Sequence, residues 1–415
     1  MGTEPSATTE HQSSPQTDTT LGIPPLLSPR FLLFLAATVM WFFSVFVLQA
    51  ALPKYLEDHG FSNGLIGLVI GALSISAILP RPFLGRAMDR GTLLPLLIAG
   101  AVMMLSSPLY GIGTLLWVLL GARLFQGVAS AIFLTGNVVL AAELAPEARR
   151  GEAIGLASIA STVAIAVGPP TGLLLGTHLS YHLTFALSAG AGLLCALLLL
   201  PLRQGRGDLT PRAAQGAPAS PREKGERYGG GEESLLEWRV LPAAIPSFVA
   251  ALGNGLLFAF LVPLMDERHL PGAGFFFTFD ALMFFVVRGV GGRWSDRYGR
   301  WRVLVPGLIA LGVGLTILTA FPVFPAFVVA ALIWGGAISL VFPELNALAV
   351  DLVPPERRGA ALATQTGVFE GGFLVSGLAL GWVADWLSLT FIFALAAALL
   401  FLTAAFCWLR YGRNR

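Results

Sequence analysis

Arg288-Gly289-Val290-Gly291-Gly292-Arg293-Trp294-Ser295-Asp296-Arg297 is a charged stretch between two long apolar runs, and the chain holds it twice. The earlier copy, Arg81-Pro82-Phe83-Leu84-Gly85-Arg86-Ala87-Met88-Asp89-Arg90, lies 207 residues upstream. A second pair stands at nearly the same shift. Glu143-Leu144-Ala145-Pro146 with Arg149-Arg150-Gly151 matches Asp351-Leu352-Val353-Pro354 with Arg357-Arg358-Gly359, 208 residues on. The extra residue falls near Tyr298-Gly299, where the first half has only Gly91. Two charged signatures at a common shift mark a duplicated unit.

The sequence around these signatures belongs in lipid. Of 415 residues, 55% are hydrophobic and only 12% charged, about half the charge of a soluble domain. Mean hydropathy is +0.75. A hydrocarbon core of about 30 Å needs roughly 20 apolar residues of helix. Twelve runs qualify: 31–52, 64–84, 93–112, 115–142, 152–175, 183–202, 239–264, 274–293, 303–321, 324–350, 358–383 and 387–409. Gly111-Ile112-Gly113 and Pro322-Val323-Phe324-Pro325 break the runs that would otherwise merge. The expected fold is an all-α membrane protein of twelve transmembrane helices in two six-helix halves. It divides into a disordered polar tail over 1–29, a bundle over 30–202, a Gly/Pro/Arg/Glu-rich linker over 203–238, a bundle over 239–410 and a tail over 411–415.

Basic residues orient the stack. Of 26 Lys and Arg, Lys54 and Arg268 fall on one side, Arg123 falls inside a helix, and the rest lie on or near the opposite side. That bias predicts a multi-pass protein of a bacterial inner membrane with both termini cytoplasmic. The first 29 residues lack a basic n-region and a cleavage site, so no signal peptide is read there. A net charge of +2 gives no footprint for nucleic acid. Cys195 and Cys407 lie in apolar segments and read as small hydrophobes. His178 and His182 have metal-like spacing but flank a short outer connection, and no metal or cofactor is expected.

Gly292-x-x-x-Asp296-Arg297-x-Gly299-Arg300-x-Arg302 resembles the loop signature of the major facilitator superfamily. The first copy, Gly85-x-x-x-Asp89-Arg90-Gly91, is shorter and lacks the trailing basic pair. Arg123-x-x-Gln126-Gly127 looks like that family's fourth-helix motif. Gly155, Ala164 and Gly168-Pro169-x-x-Gly172 are similar to the fifth-helix motif of its exporter branch, with Ala164 in place of a glycine. Leu52-Pro53, Gly60-Phe61-Ser62 and Arg81-Pro82 look like the arabinose-efflux-permease-like bacterial exporters. The resemblance implies a cytoplasmic gate in which Asp89 faces the start of helix eleven near Gly359, and Asp296 the start of helix five near Gly151. Glu143, Arg150, Asp351 and Arg358 complete it. The bland reading is that these charges set topology and cap turns. For Gly155, Gly168, Pro169 and Gly172 the resemblance implies an outer seal; ordinary small-residue packing weighs equally.

Arg123 is the sharpest residue. It lies about eight residues, roughly 12 Å, from the outer end of its helix, on one polar stripe with Gln126, Ser130 and Asn137. A charge at that depth costs several kcal/mol (~3 or more) unless it faces a partner or a wet cavity. It reads as a group holding an anionic substrate atom or tuning an acid, against a snorkelling or structural arginine. Thr38, Trp41 and Gln49 share a face of helix one, and Ser247, Asn254 and Phe258 a face of helix seven. The resemblance makes these candidate substrate contacts; a helix–helix hydrogen bond is as good a reading for any single one.

No Walker A stretch is present, and acids stand within the spans, so a proton gradient is the natural drive. The expected function is a proton-coupled exporter, an antiporter, of a small solute, acting as a monomer in the bilayer. The alternatives are a symporter importing a sugar or metabolite and, less favoured, a membrane-embedded receptor or enzyme. Asp280 is expected near outside water and ionised. Glu344 lies in the inner half of helix ten, and Glu370 near the midplane, about 16 Å from Gly359. Carboxylates away from water tend toward the neutral form, and an approaching guanidinium toward the ionised one. Glu370 is therefore the expected proton carrier, with Glu344 second; a glutamate hydrogen-bonded for packing is the alternative.

Overall fold

A computed structural model describes residues 26–80, 83–84, 87–88, 92–113, 115–204, 237–354 and 357–412, with backbone alone at 203–204, 288–298, 359 and 412. Among these residues run twelve α-helices and no strand. They are α1 Pro29–Asp58, α2 Asn63–Ile78, α3 Leu93–Met103, α4 Leu116–Leu144, α5 Arg150–His178 and α6 Tyr181–Gln204. After the linker come α7 Leu241–Glu267, α8 Phe275–Tyr298, α9 Arg300–Ala320, α10 Phe324–Asp351, α11 Arg358–Trp386 and α12 Leu389–Cys407. Ten helical segments are long and apolar enough to cross a bilayer; α2 and the apolar stretch Phe275–Val287 of α8 are shorter. The tail, most of the linker and the loop residues Gly85, Asp89 and Arg90 lie outside the described residues, as do the side chains of Gly292, Asp296 and Arg297.

Local chemistry sets the helix ends. Ser28, Ser62 and Ser388 each cap a helix, their Oγ atoms accepting from the amides of Phe31, Leu65 and Phe391 at 3.2, 3.4 and 3.1 Å. Gly299 alone separates α8 from α9, at φ +89°, a left-handed backbone that favours glycine. Three expected spans change shape. The second is interrupted after Ile78: Leu79 keeps helical angles, but Pro80 has no N–H to return to the preceding turn, and Phe83 and Leu84 are helical again. The third is α-helical only to Met103 and tightens into a 3-10 segment, Met104–Gly111. Pro108 has no N–H to return to the preceding turn. The first runs on to Asp58 instead of 52, because Lys54 reaches Asp58 at 2.6 Å and Glu57 at 3.4 Å along the same face.

The duplication reappears in the packing. In the first half α1 packs on α5 and α6, α2 on α4, and α3 on α4 and α6. In the second half α7 packs on α11 and α12, α8 on α10, and α9 on α10 and α12. Each pair maps onto its counterpart six helices later. Between halves, α2 lies against α11 and α5 against α8, while α1 meets α7. These pairings are what a two-fold relation between the bundles requires. The α2–α11 contact is made by backbone: a Cβ on Gly67 would overlap the carbonyl oxygen of Gly377.

Candidate transport pathway and outer seal

The side poor in basic residues is termed the outer side. Arg123 stands two turns into α4 and is 1% exposed. Its Nη1 donates to Gln126 Oε1 at 3.4 Å, and its guanidinium carbon lies 5.8 Å from the centre of the Tyr110 ring. Its Nε and Nη2 have no partner among the described residues. Tyr110 in turn donates to Gln126 Oε1 at 2.8 Å, and Gln126 Nε2 donates to Ser107 Oγ at 3.1 Å. Ser107 Oγ lies 2.9 Å from Ser188 Oγ. Ser44 and Ser188 close the network reciprocally, each hydroxyl donating to the other's carbonyl, at 2.6 and 2.8 Å. Arg123 and Gln126 thus share one buried polar network across α1, α4, α6 and the 3-10 segment after α3. Tyr110, Ser107, Ser44 and Ser188 were missed in sequence; the hydroxyls at 44, 107 and 188 inside apolar runs were the available signal.

Other expected contacts are packed. Trp41 is stacked on Phe133 at 4.3 Å with planes 1° apart, and is 1% exposed. Thr38 Oγ1 lies 2.8 Å from Asn137 Oδ1, a hydrogen bond between α1 and α4. Gln49 on α1 and Asn254 on α7 remain half-buried. Ser247 is fully buried, its hydroxyl unpartnered among the described residues.

The acids occupy three settings. Glu344 is 5% exposed, with Oε2 3.4 Å from Arg300 Nη1, and Arg300 Nε holds Asp351 Oδ2 at 3.1 Å. Arg300 therefore clamps the inner ends of α9 and α10. Glu370 is half-buried in mid-α11. Asp280 is half-buried; its Oδ1 is shielded and has no hydrogen-bond partner among the described residues, and α8 is pressed onto α10 so closely that a Cβ on Gly335 would overlap the Asp280 backbone. At the cytoplasmic margin Glu143 and Arg358 are exposed, and Arg150 pairs loosely with Glu147 at 3.6 Å. Arg357 Nε pairs with the buried Glu237 Oε2 at 3.0 Å, tying the start of α11 to the turn before α7.

The outer ends of the two halves are joined. Lys54 on α1 reaches Asp266 on α7 at 2.8 Å. Asp385, in the last turn of α11, takes the N–H groups of Asn63 and Gly64 at 2.8 and 2.9 Å. It thereby caps the free N-terminus of α2 from the opposite half, where the helix dipole favours a negative charge. Thr278 Oγ1 on α8 donates to the Ala166 carbonyl of α5 at 2.6 Å. The glycine and proline stretch of α5 sits here. Added Cβ atoms on Gly168 and Gly172 would strike the backbone of Phe46 and Val47 on α1, and one on Gly274 would strike Pro169 and Pro170. Gly155 differs: a Cβ there meets nothing, so it takes no part in this close packing. A cavity of about 160 Å³ adjoins the clasp, lined by Lys54, Asp266, Pro170, His178 and Phe275 among others. Arg268, just past α7, caps the C-terminal carbonyls of α9 at Leu318 and Thr319.

Comparison with known proteins agrees with this architecture. The family model for the Major Facilitator Superfamily matches residues 31–243 and 243–415. An uncharacterized MFS-type transporter of Salmonella typhimurium is 30% identical over 388 residues, covering 89% of this chain and 93% of its own. Another, from Burkholderia mallei, is 28% identical over 366 residues, 84% of each chain. Among solved structures, the nucleoside transporter NupG superposes with a TM-score of 0.73 at 15% identity, over 94% of this chain and 100% of that one. A POT family transporter in complex with 5-aminolevulinic acid gives 0.69 at 12% identity, over 91% and 95%. At those identities the solved structures speak for the fold. With the family match spanning nearly the whole chain, the protein belongs to the major facilitator superfamily and is a multi-pass membrane transporter rather than an enzyme.

Proposed function

We propose that the chain is a proton-coupled exporter of a small solute, working by alternating access between the bundles 30–202 and 239–410. We place it as a monomer in a bacterial inner membrane with both termini cytoplasmic. The reading rests on the distribution of charge inside the spans. Arg123, in the first bundle, is buried with two guanidinium nitrogens unpartnered among the described residues. The acids that stand well away from helix ends, Asp280, Glu344 and Glu370, belong to the second bundle. A buried cation short of partners attracts a carboxylate or an anionic substrate atom. Rocking of the bundles changes how near each acid comes to it, and so how firmly that acid holds its proton. Glu370, in mid-helix, is the carrier in this scheme. Export as the direction is supported by the α5 stretch Gly168-Pro169-Pro170 with Gly172, similar to the exporter motif and packed at the outer seal. The cytoplasmic loops around Asp89 and Asp296 form the opposing gate.

The test uses proteoliposomes and solutes selected by thermal shift of the purified protein. Glu370→Gln keeps the shape and removes the titration. It should abolish uptake driven by an imposed pH gradient while leaving binding and counterflow. Uphill flux by the glutamine variant would remove Glu370 from the coupling step. Flux that follows the proton gradient in the same direction as protons would replace export with symport.

A further inference from the structure

A continuous row of aromatic rings crosses the boundary between the bundles. Phe42 and Phe46 on α1 lie 6.3 Å apart, and Phe46 meets Phe258 of α7 at 6.1 Å. Phe258 stacks on Phe373 of α11 at 5.7 Å, Phe373 meets Phe369 at 5.5 Å, and Phe369 meets Phe342 of α10 at 4.9 Å. Spacings of 4.5–7 Å are those of interacting rings. Phe258 lies roughly two to three turns below the outer end of α7, and Phe342 a similar distance above the inner end of α10. The row therefore descends through the membrane along the second bundle.

These rings border the cores without being enclosed by them: Phe258 also stacks on the buried Phe277 at 5.3 Å, and Phe42 meets the buried Phe133 edge-on at 6.4 Å. Phe31, Phe260 and Phe393 are 0% exposed. All six rings of the row are half-buried although each touches another helix or ring of the row. Phe46 and Phe258 face each other from opposite bundles, so their uncovered edges border the space between bundles rather than lipid. Two polar side chains flank the row on the same helix faces: Gln49 one turn from Phe46, and Asn254 one turn from Phe258. Both are half-buried. A mostly aromatic wall with a few convergent polar groups is the make-up of a small-molecule site.

We propose that this row is the substrate surface and that the transported solute carries a flat aromatic ring system, held by ring stacking and oriented by Gln49 and Asn254. The proposal rests on the space between the bundles being the transport pathway, and not on the coupling ion. Stacking depends on a π-face, which a saturated ring of similar size and greater lipophilicity lacks.

The experiment is isothermal titration of the purified full chain with matched pairs. Naphthalene derivatives bearing a carboxylate, an amine or an amide are each compared with the decahydro counterpart. In at least one pair the aromatic member should bind about three- to tenfold more tightly. That ratio should fall toward one in Phe258→Leu and in Phe369→Leu, which keep apolar volume, and persist in Phe258→Tyr. The proposal is overturned if no pair binds, if saturated members bind as well throughout, or if neither leucine variant moves the ratio. If the aromatic preference holds but a pH gradient drives no flux of the preferred member, proton coupling falls and the ring surface stands.

Discussion

The outer clasp sets a balance that can be shifted by a single carboxylate. Asp385 accepts two backbone N–H groups at the start of α2, and Lys54 adds an ion pair to Asp266. Both links join opposite bundles, so both must break when the outer side opens. An N-cap acceptor contributes about 0.5–2 kcal/mol, and a charge at a helix terminus about 0.3–1 kcal/mol. Asp385 is exposed, so the lower half of that combined range applies, about 1–1.5 kcal/mol. Lys54–Asp266 is partly exposed, at 20% and 36%, and Lys54 keeps Asp58 when Asp266 is lost. That pair adds about 0.5 kcal/mol. Asp385→Ala should therefore raise the outer-open to outer-closed ratio about tenfold, and Asp385→Ala with Asp266→Asn about 20-fold, since 1.4 kcal/mol is a factor of ten. Spin labels at Leu179 and Leu387, both exposed at outer helix ends, report the separation of the bundles by pulsed electron–electron resonance in nanodiscs. The buried Cys195 and Cys407 are first replaced. The long-distance fraction should grow in the single variant and grow further in the double. An unchanged distance distribution in both would show that these contacts do not decide the state of the outer side.

The same geometry sets three further outcomes. Gly67→Leu drives a side chain into the Gly377 carbonyl across the α2–α11 contact; it should hold the outer side apart, seen as a longer distance between the spin labels at Leu179 and Leu387, and a distribution equal to wild type would contradict the close approach. Arg123→Ala should abolish transport with expression retained, and Arg123→Lys should restore little, because an ammonium cannot keep the Gln126 and Tyr110 contacts while presenting the planar guanidinium's further donors; near-normal flux in the alanine variant would make Arg123 structural. Cysteine pairs bridging the loop at Asp89 and the start of α11 near Gly359 should crosslink better in Asp385→Ala than in wild type, since opening outside closes inside; equal yields would remove the cytoplasmic gate.

The parts that could be read in advance are those written in local chemistry. Apolar runs of span length give the helices, and a charged signature repeated at a shift of 207–208 residues gives the halves. Together they imply equivalent packing pairs, as α1 on α5 and α7 on α11 turn out to be. Arg123 stands out because a guanidinium inside an apolar run is costly wherever it points. Its surroundings were not legible, because Tyr110 and Ser107 are delivered by a 3-10 segment whose altered twist comes from Pro108. Trp41 illustrates the converse: helical spacing put it on a face with Thr38, but the same face meets α4, and the flat stack on Phe133 uses it for packing. The clasp was invisible for another reason. Asp385 and Asn63 are separated by more than 300 residues, and neither sits in a pattern; an acid at a helix end reads as topology until a second helix N-terminus is placed against it. The repeat then explains why such a contact can exist at all. Pairing α2 with α11 and α5 with α8 brings the start of one helix beside the end of another from the opposite bundle. The resemblance locates the gate at the loop-rich end of these same pairs, around Asp89 and Asp296. Asp385 occupies the other end of the α2–α11 pair. In the proposed gate Asp89 would close the inner end of this pair against the start of α11 as Asp385 closes the outer end against the start of α2, so that closing one end would draw the other apart.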